Sequence, residues 1–296
     1  KCIIYTLNNN QYTAIDFFEA PSAGIRHGVV VDFKNAAGCI EKILLNAEEE
    51  TGREFYNIIL NFSDIHLKSL NIQGSIDFSD HSKSIKNRHI KKAILNALNI
   101  NLNKDEEFIQ MIPGDYILDN ETVVDNPLGM SANKLTANIH AVIAKTNTLT
   151  NLANSIKKAG FGIIDIFMSP SLAGQVVLAE EEKKIGVVLI DIGEDTSDII
   201  IYKNSKVVFS CVLPIGGALI SHSIAEKMML SLDKAEDIKI HYGYAGDKMP
   251  GIEEELSVAH LSGSGKGFRK VLTKDISKII DQKLNKIFEQ FDDIIK

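Results

Sequence analysis

The stretch "VVLIDIGEDTSDIIIY", Val187 to Tyr202, decides how the rest of the chain is read. One apolar run ends at Asp191, a short turn carries Gly193, Glu194, Asp195 and Thr196, and a second apolar run follows. The pattern predicts a strand, a tight turn and a returning strand. Gly193 lets a ligand approach the backbone, while Thr196 and Ser197 add hydroxyl and amide donors, which together suit a phosphate. Asp191, at the end of what reads as a buried strand, would hold a metal-bound water. Standing alone, the same residues also describe an ordinary β-turn. Glu194 and Asp195 sharpen the question, because two carboxylates in a phosphate turn repel the charge it is meant to hold.

Working outward, the hairpin has an earlier echo. "DIIIYKNSKVVFSCVLP" is an apolar strand ending in Tyr, a polar turn with Asn and another apolar strand, and "KCIIYTLNNNQYTAIDFFEAP" at the start of the chain repeats that order. By this repeat, the counterpart of the 187–197 strand and turn is expected upstream of Lys1. Between the copies, "GVVVDFKNAAGCIEKILLNAEEETG" predicts a short strand and a helix stopped by Gly52, and "NIILNFS" a central strand. From about Ile65 to Lys145 short alternating strands such as "LKSLNIQGSIDF" and "LTANIHAVIAK" surround one basic helix, "KNRHIKKAILNAL". This texture reads as an inserted small α+β domain. The helix "LTNLANSIKKAG", the strand "FGIIDIFM" and a helix through "SLAGQVVLAEE", with Ser169 as its N-cap and Pro170 at its first position, return to the earlier style. Strands alternating with helices give an α/β fold.

Beyond the quoted stretch, "VLPIGGALISHSIAEKMML" places Gly216 and Gly217 at a helix entrance, where amides and the helix dipole favour an anion. A plain strand-to-helix turn has the same appearance. The next helix, "LDKAEDIKIHYG", ends at Gly243 and sets Glu236 and Lys239 one turn apart, suited to clasping a ribose and an adenine or to forming a surface ion pair. The polar loop with Gly263, Gly265 and Gly267 reads as a connector. The final helix, "DISKIIDQKLNKIFEQFDDIIK", is amphipathic through Ile276, Ile279, Ile280, Leu284, Ile287, Phe288, Phe291 and Ile295, with mixed charges opposite, and is expected to pack within the domain.

Composition narrows the function. With 296 residues and 45% hydrophobic content the chain can bury a large core. Its three cysteines lie far apart without C-x-x-C spacing, which points to a reducing compartment, and its eight histidines show no metal-ligand spacing. A net charge of -7 with no basic block argues against nucleic acid. No apolar run reaches ~18 residues, so no transmembrane helix is expected.

Taken together and in order, these segments resemble the FtsA family of bacterial cell-division proteins, in the actin-like ATPase superfamily. "PSAGIRHGVVVD", "DNPLGM" before "LTANIHAVIA", "NLANSIKKAGF", "LAEEEKKIGVVLIDIG", "PIGGALISHSIA" and "KAEDIKIHYG" carry the likeness. The resemblance implies an actin-like two-lobed α/β fold with an inserted small domain, cut short at both ends. Residues 1–64 and 146–178 would form the first lobe, 65–145 the inserted domain, 179–224 the second lobe and 225–296 an outer small domain. It implies binding of ATP with Mg²⁺ by Gly193, Glu194, Asp195, Thr196, Gly216, Gly217, Glu236 and Lys239, with Asp191 positioning metal or water. Partners would be FtsZ, met by Arg269 and Lys283, further copies of the chain in a filament, and the inner face of the cell membrane at the division site, reached through a C-terminal helix beyond Lys296. Three departures from the family pattern predict weak ATPase activity at most. D-I-G-E-D-T stands for D-I-G-G-G-T, Ser223 stands where an Asp is common, and Ser169 stands where relatives orient water with Glu or Gln. A small-molecule kinase or a chaperone-type ATPase of the same superfamily is the alternative.

Overall fold

A computed structural model of the chain describes residues 1–8, 11–78, 84–246, 255–259 and 268–296. It separates into two compact units, Lys1–Asp191 with Asp198–Leu213, and Ile192–Ser197 with Pro214–Lys296.

The first unit opens with an antiparallel hairpin, β1 (Cys2–Asn8) and β2 (Gln11–Phe18). Alternation buries Ile4 and Phe18 against Ala47 and leaves Ile3 and Phe17 exposed. After the two-residue strands β3 (Ile25–Arg26) and β4 (Val29–Val30), α1 (Phe33–Thr51) begins where the Asp32 carboxylate accepts the Asn35 amide at 3.1 Å. It stops at Gly52, whose φ of 62° is the left-handed cap. The strand β5 (Asn57–Phe62) leads to the inserted region: β6 (Lys68–Asp77), α2 (Asn87–Ala97), β7 (Glu106–Leu118), β8 (Thr122–Val124) and β9 (Lys134–Lys145).

The inserted sheet runs in the order β6-β9-β7-β8, antiparallel throughout. Three of its strands, at 10, 13 and 12 residues, are longer than the short strands expected. The reason lies in β9, the central strand, which is covered on both faces. Leu135, Ala137, Ile139 and Ala141 join the cluster beneath α2, while Val142 and Ala144 join the other core of the unit. Helix α2 lies directly on Gly74 of β6. A Cβ there would sit 2.1 Å from the Ala97 amide nitrogen and 2.2 Å from the Ala93 carbonyl oxygen, so a side chain is excluded by backbone that cannot yield.

On the opposite face the inserted sheet meets β13 (Lys206–Leu213). His140 of β9 is 3% exposed, with Nδ1 2.8 Å from Asn71 Oδ1 and Nε2 2.8 Å from Ser210 Oγ. The Asn71 amide donates to the Val208 carbonyl at 2.8 Å, so its Oδ1 must accept, which places the imidazole proton on Nδ1. Ser210 then donates to Nε2. Burial holds the imidazole down to about 4, neutral at ordinary pH.

The chain re-enters the first style with α3 (Thr146–Lys158), β10 (Gly162–Met168), parallel to β5, and α4 (Ser169–Val177). Helix α3 starts at Thr146, earlier than the expected Leu149, because β9 passes straight into it at Lys145. The Ser169 cap is corrected: Met168 is the cap residue and Ser169 is already helical. Gln110 of β7 supplies the acceptor, taking the Met168 amide at 2.9 Å and the Ser171 hydroxyl at 3.1 Å. The single helix expected through Glu181 is also corrected. Leu178 and Ala179 are extended, and α5 (Glu180–Ile185) starts afresh because Glu182 accepts the Ala179 amide at 2.8 Å. β11 (Val187–Ile192), β12 (Ser197–Lys203) and β13 form a sheet in that order.

The second unit contains α6 (Gly217–Met228), α7 (Leu232–Tyr242), the antiparallel pair β14 (Glu255–Ala259) and β15 (Phe268–Leu272), and α8 (Thr273–Ile295). Helix α6 packs on both α7 and α8. Of the stripe read on α8, Ile276, Ile279, Ile280, Ile287 and Phe291 are buried, but Phe288 is 52% and Ile295 41% exposed. The covered stripe is thus narrower than periodicity suggested. The Gly263, Gly265 and Gly267 loop lies outside the described residues. Among the described residues, no helix is long and apolar enough to cross a membrane.

Candidate functional site

The turn after β11 is built by its own backbone. The Gly193 amide donates to the Thr196 carbonyl at 2.8 Å, closing the turn. The carbonyls of Gly193 and Glu194 then accept the amides of Gly217 at 2.9 Å and Ala218 at 2.8 Å, and the Leu219 amide turns back to Gly216 at 3.1 Å. Ser197 fastens the far side of the turn, donating to the Ile215 carbonyl at 2.7 Å while fully buried. Gly216 has an extended backbone, so its requirement is space rather than conformation. A Cβ would lie 2.4 Å from the Glu194 oxygen and 2.6 Å from the Gly193 oxygen.

This geometry gives the helix entrance a role the sequence did not disclose. The first amides of α6 are occupied by the turn's carbonyls, so the entrance anchors the turn. Gly216 is buried, Glu194 is exposed and Asp195 and Thr196 are half-buried.

Beside that anchor, α7 brings a carboxylate and an ammonium back to α6. Lys239 Nζ lies 2.8 Å from Glu236 Oε2 and 3.3 Å from the Gly217 carbonyl. Ser221, 1% exposed on α6, donates a short hydrogen bond to the same Glu236 Oε2. Burial pushes the Glu236 pKa up, but the Lys239 and Ser221 bonds outweigh it and hold the carboxyl below its ordinary value. Glu236 and Lys239 are therefore more than a surface ion pair, because Lys239 also reaches the Gly217 carbonyl and the Ser221 hydroxyl lies 3.3 Å from that same oxygen, which closes a ring of Glu236, Lys239, Gly217 and Ser221. Ser221, four residues into α6, carries no signal of this role in the sequence.

The other residues read from the sequence are placed differently. β11 is half-buried rather than buried, and Asp191 near its end is exposed and belongs to the first unit, near Asp198. Asp198 carries no sequence signal that singles it out. It is 7% exposed, accepts the Ser63 hydroxyl at 2.5 Å, and is pushed up to about 6 by burial, with the Asp191 charge adding and the Ser63 bond opposing. Among the described residues, no group of three or more His, Cys, Asp or Glu could hold a metal ion. Ser223 is buried and donates back to the Leu219 carbonyl at 2.8 Å. Lys283 lies half-buried on α8, and Arg269 lies in β15, its side chain outside the described residues.

Two family patterns match the chain: "SHS2 domain inserted in FTSA" over residues 65–143 and "Cell division protein FtsA" over residues 188–286. The cell division protein FtsA of Neisseria meningitidis serogroup B is 30% identical over 281 residues, covering 95% of this chain and 67% of that protein. The chain belongs to the FtsA family. FtsA of Pseudomonas aeruginosa is 27% identical over 268 residues, covering 90% of this chain and 63% of the relative. The chain thus spans about two thirds of the length of such relatives. Among solved structures, the PilM-PilN type IV pilus biogenesis complex aligns over 81% of this chain and 66% of its own at 15% identity, with a TM-score of 0.56, a likeness of fold alone. The expected fold class, an α/β actin-like architecture carrying an inserted small domain, holds for this FtsA chain. The family's insertion falls on the four-stranded sheet and α2 described above.

Proposed function

We propose that this FtsA chain binds ATP, with the turn Gly193–Thr196 meeting phosphate and the Glu236–Lys239 pair meeting the nucleoside. The observation that carries the reading is the ring formed by Glu236, Lys239, Gly217 and Ser221 against the anchor of the turn. The donor set fits such a ligand, because an ammonium and an ionised carboxylate offer a donor and an acceptor to hydroxyls, while the turn adds Gly193 and the Thr196 hydroxyl, against the repulsion of Glu194 and Asp195. Among the described residues no group of three or more His, Cys, Asp or Glu could cage a cation, so Mg²⁺ would come with the phosphates, and Asp191 would be the candidate acceptor for a water bound to it. Ser169 and Ser223 in place of acidic or amide side chains support slow hydrolysis at most.

Family membership extends the proposal: a polymerising division protein that links the FtsZ ring to the cytoplasmic face of the membrane at the division site. FtsZ would be met by the outer part of the second unit, through β15 with Arg269 and α8 with Lys283. Calorimetry of the full-length protein with Mg-ATP tests the nucleotide reading. Glu236→Ala and Lys239→Ala each are expected to weaken binding roughly tenfold or more, the cost of losing a charge-assisted hydrogen bond. Unchanged affinity in both variants would remove the ring from the site.

A further inference from the structure

We infer that Ser221 is a positioning residue that fixes which oxygen of Glu236 faces a ligand, and so sets discrimination between ribose and deoxyribose nucleotides. The inference rests on the nucleotide reading above. Glu236 Oε2 accepts both the Lys239 ammonium and the Ser221 hydroxyl, whereas among the described residues Oε1 has no hydrogen-bond donor and can take a hydrogen from a ligand. Lys239 donates to Glu236 and to the Gly217 carbonyl and, among the described residues, has no third acceptor, which leaves a hydrogen for a ligand oxygen. The ring therefore presents one fixed acceptor beside one fixed donor, the complement of a sugar hydroxyl that gives a hydrogen and receives one.

Ser221 is the member that makes this arrangement rigid. Glu236 stands on α7 with its side chain 39% exposed, and Lys239, one turn away on the same helix, reaches α6 only through the longer 3.3 Å bond to the Gly217 carbonyl, so the lysine alone holds the carboxylate loosely. The Ser221 hydroxyl comes from a different helix, is 1% exposed and cannot follow such a rotation. It ties the carboxylate to α6, where the turn is anchored. A serine so enclosed and bonded to a carboxylate also favours the ionised form, which accepts a hydrogen bond better than the neutral acid.

The test uses full-length protein with Ser221→Ala and Ser221→Thr. Affinities for ATP, 2′-deoxy-ATP and 3′-deoxy-ATP with Mg²⁺ are measured by calorimetry, and the Glu236 titration is followed by carboxyl-carbon NMR without nucleotide. Wild type is expected to prefer ATP over at least one deoxy analogue by roughly tenfold. Ser221→Ala should bring that ratio near one, chiefly through weaker ATP binding, and raise the Glu236 pKa, while Ser221→Thr keeps both wild-type values. An unchanged ratio and an unchanged Glu236 titration in the alanine variant overturn the inference. If wild type binds none of the three nucleotides, the nucleotide reading fails. The Glu236 titration then decides the positioning role alone: a rise in the alanine variant upholds it and no change overturns it.

Discussion

His140 predicts a stability that depends on acid, and the structure fixes both its sign and its size. Folded, the imidazole titrates at about 4 because it is buried between the inserted sheet and β13, against 6.5 for an ordinary histidine. Between these values the unfolded chain binds a proton that the folded chain refuses, so stability is complete above the unfolded value and is lost as pH falls through the window. The gap corresponds to about 3 kcal/mol at full loss, at 1.36 kcal/mol per pH unit. Asp198 in the same unit runs the other way. Its carboxyl titrates at about 6 instead of 3.8, so the folded form takes a proton first and acidification between those values adds a similar amount. In wild type the two slopes largely cancel. Asp198→Asn removes the compensation and should expose a steep loss of stability below pH 6.5. His140→Asn should leave a protein that gains stability as pH falls towards 4, and the double variant should lie between the two single variants in slope. Urea unfolding at half-unit steps from pH 4 to 7.5 measures all four proteins. Identical slopes for wild type and both single variants would refute the argument, since neither group would then differ between folded and unfolded chains.

Three further outcomes are expected. Gly74→Val should destabilise the inserted domain by about 3 kcal/mol or more, read as a lowered midpoint in thermal melting, because the backbone of α2 occupies the space a side chain needs. Replacing Glu194 and Asp195 together by glycine should tighten Mg-ATP several-fold in calorimetry, each carboxylate near the phosphates costing ~1 kcal/mol in water-like surroundings. Two added glycines also loosen the turn, so a circular dichroism melt of the same variant separates lost fold from gained affinity. Lys283→Glu should weaken binding of an FtsZ C-terminal peptide and reduce its salt dependence, measured by fluorescence anisotropy across ionic strengths.

The elements of the turn after β11 were legible because their signals are local. The apolar runs flanking Gly193, the left-handed stop at Gly52 and the pairing distance of Glu236 and Lys239 all follow from residues close together in the chain. The inserted region announced itself by a change of period, and the order of motifs along the chain pointed to the family. Other features depend on groups that only folding brings together. The first amides of α6 could not be known to be taken until the turn's carbonyls were placed against them, since those partners lie more than twenty residues away in the chain. The same reason hid Ser221 behind Glu236 and Ser63 behind Asp198. Periodicity gave the apolar stripe of α8, but the width of what covers it decided that Phe288 and Ile295 stay exposed. Burial, which depends on neighbours distant in sequence, displaced the titrations of His140 and Asp198, where composition marked them as one histidine and one aspartate among many.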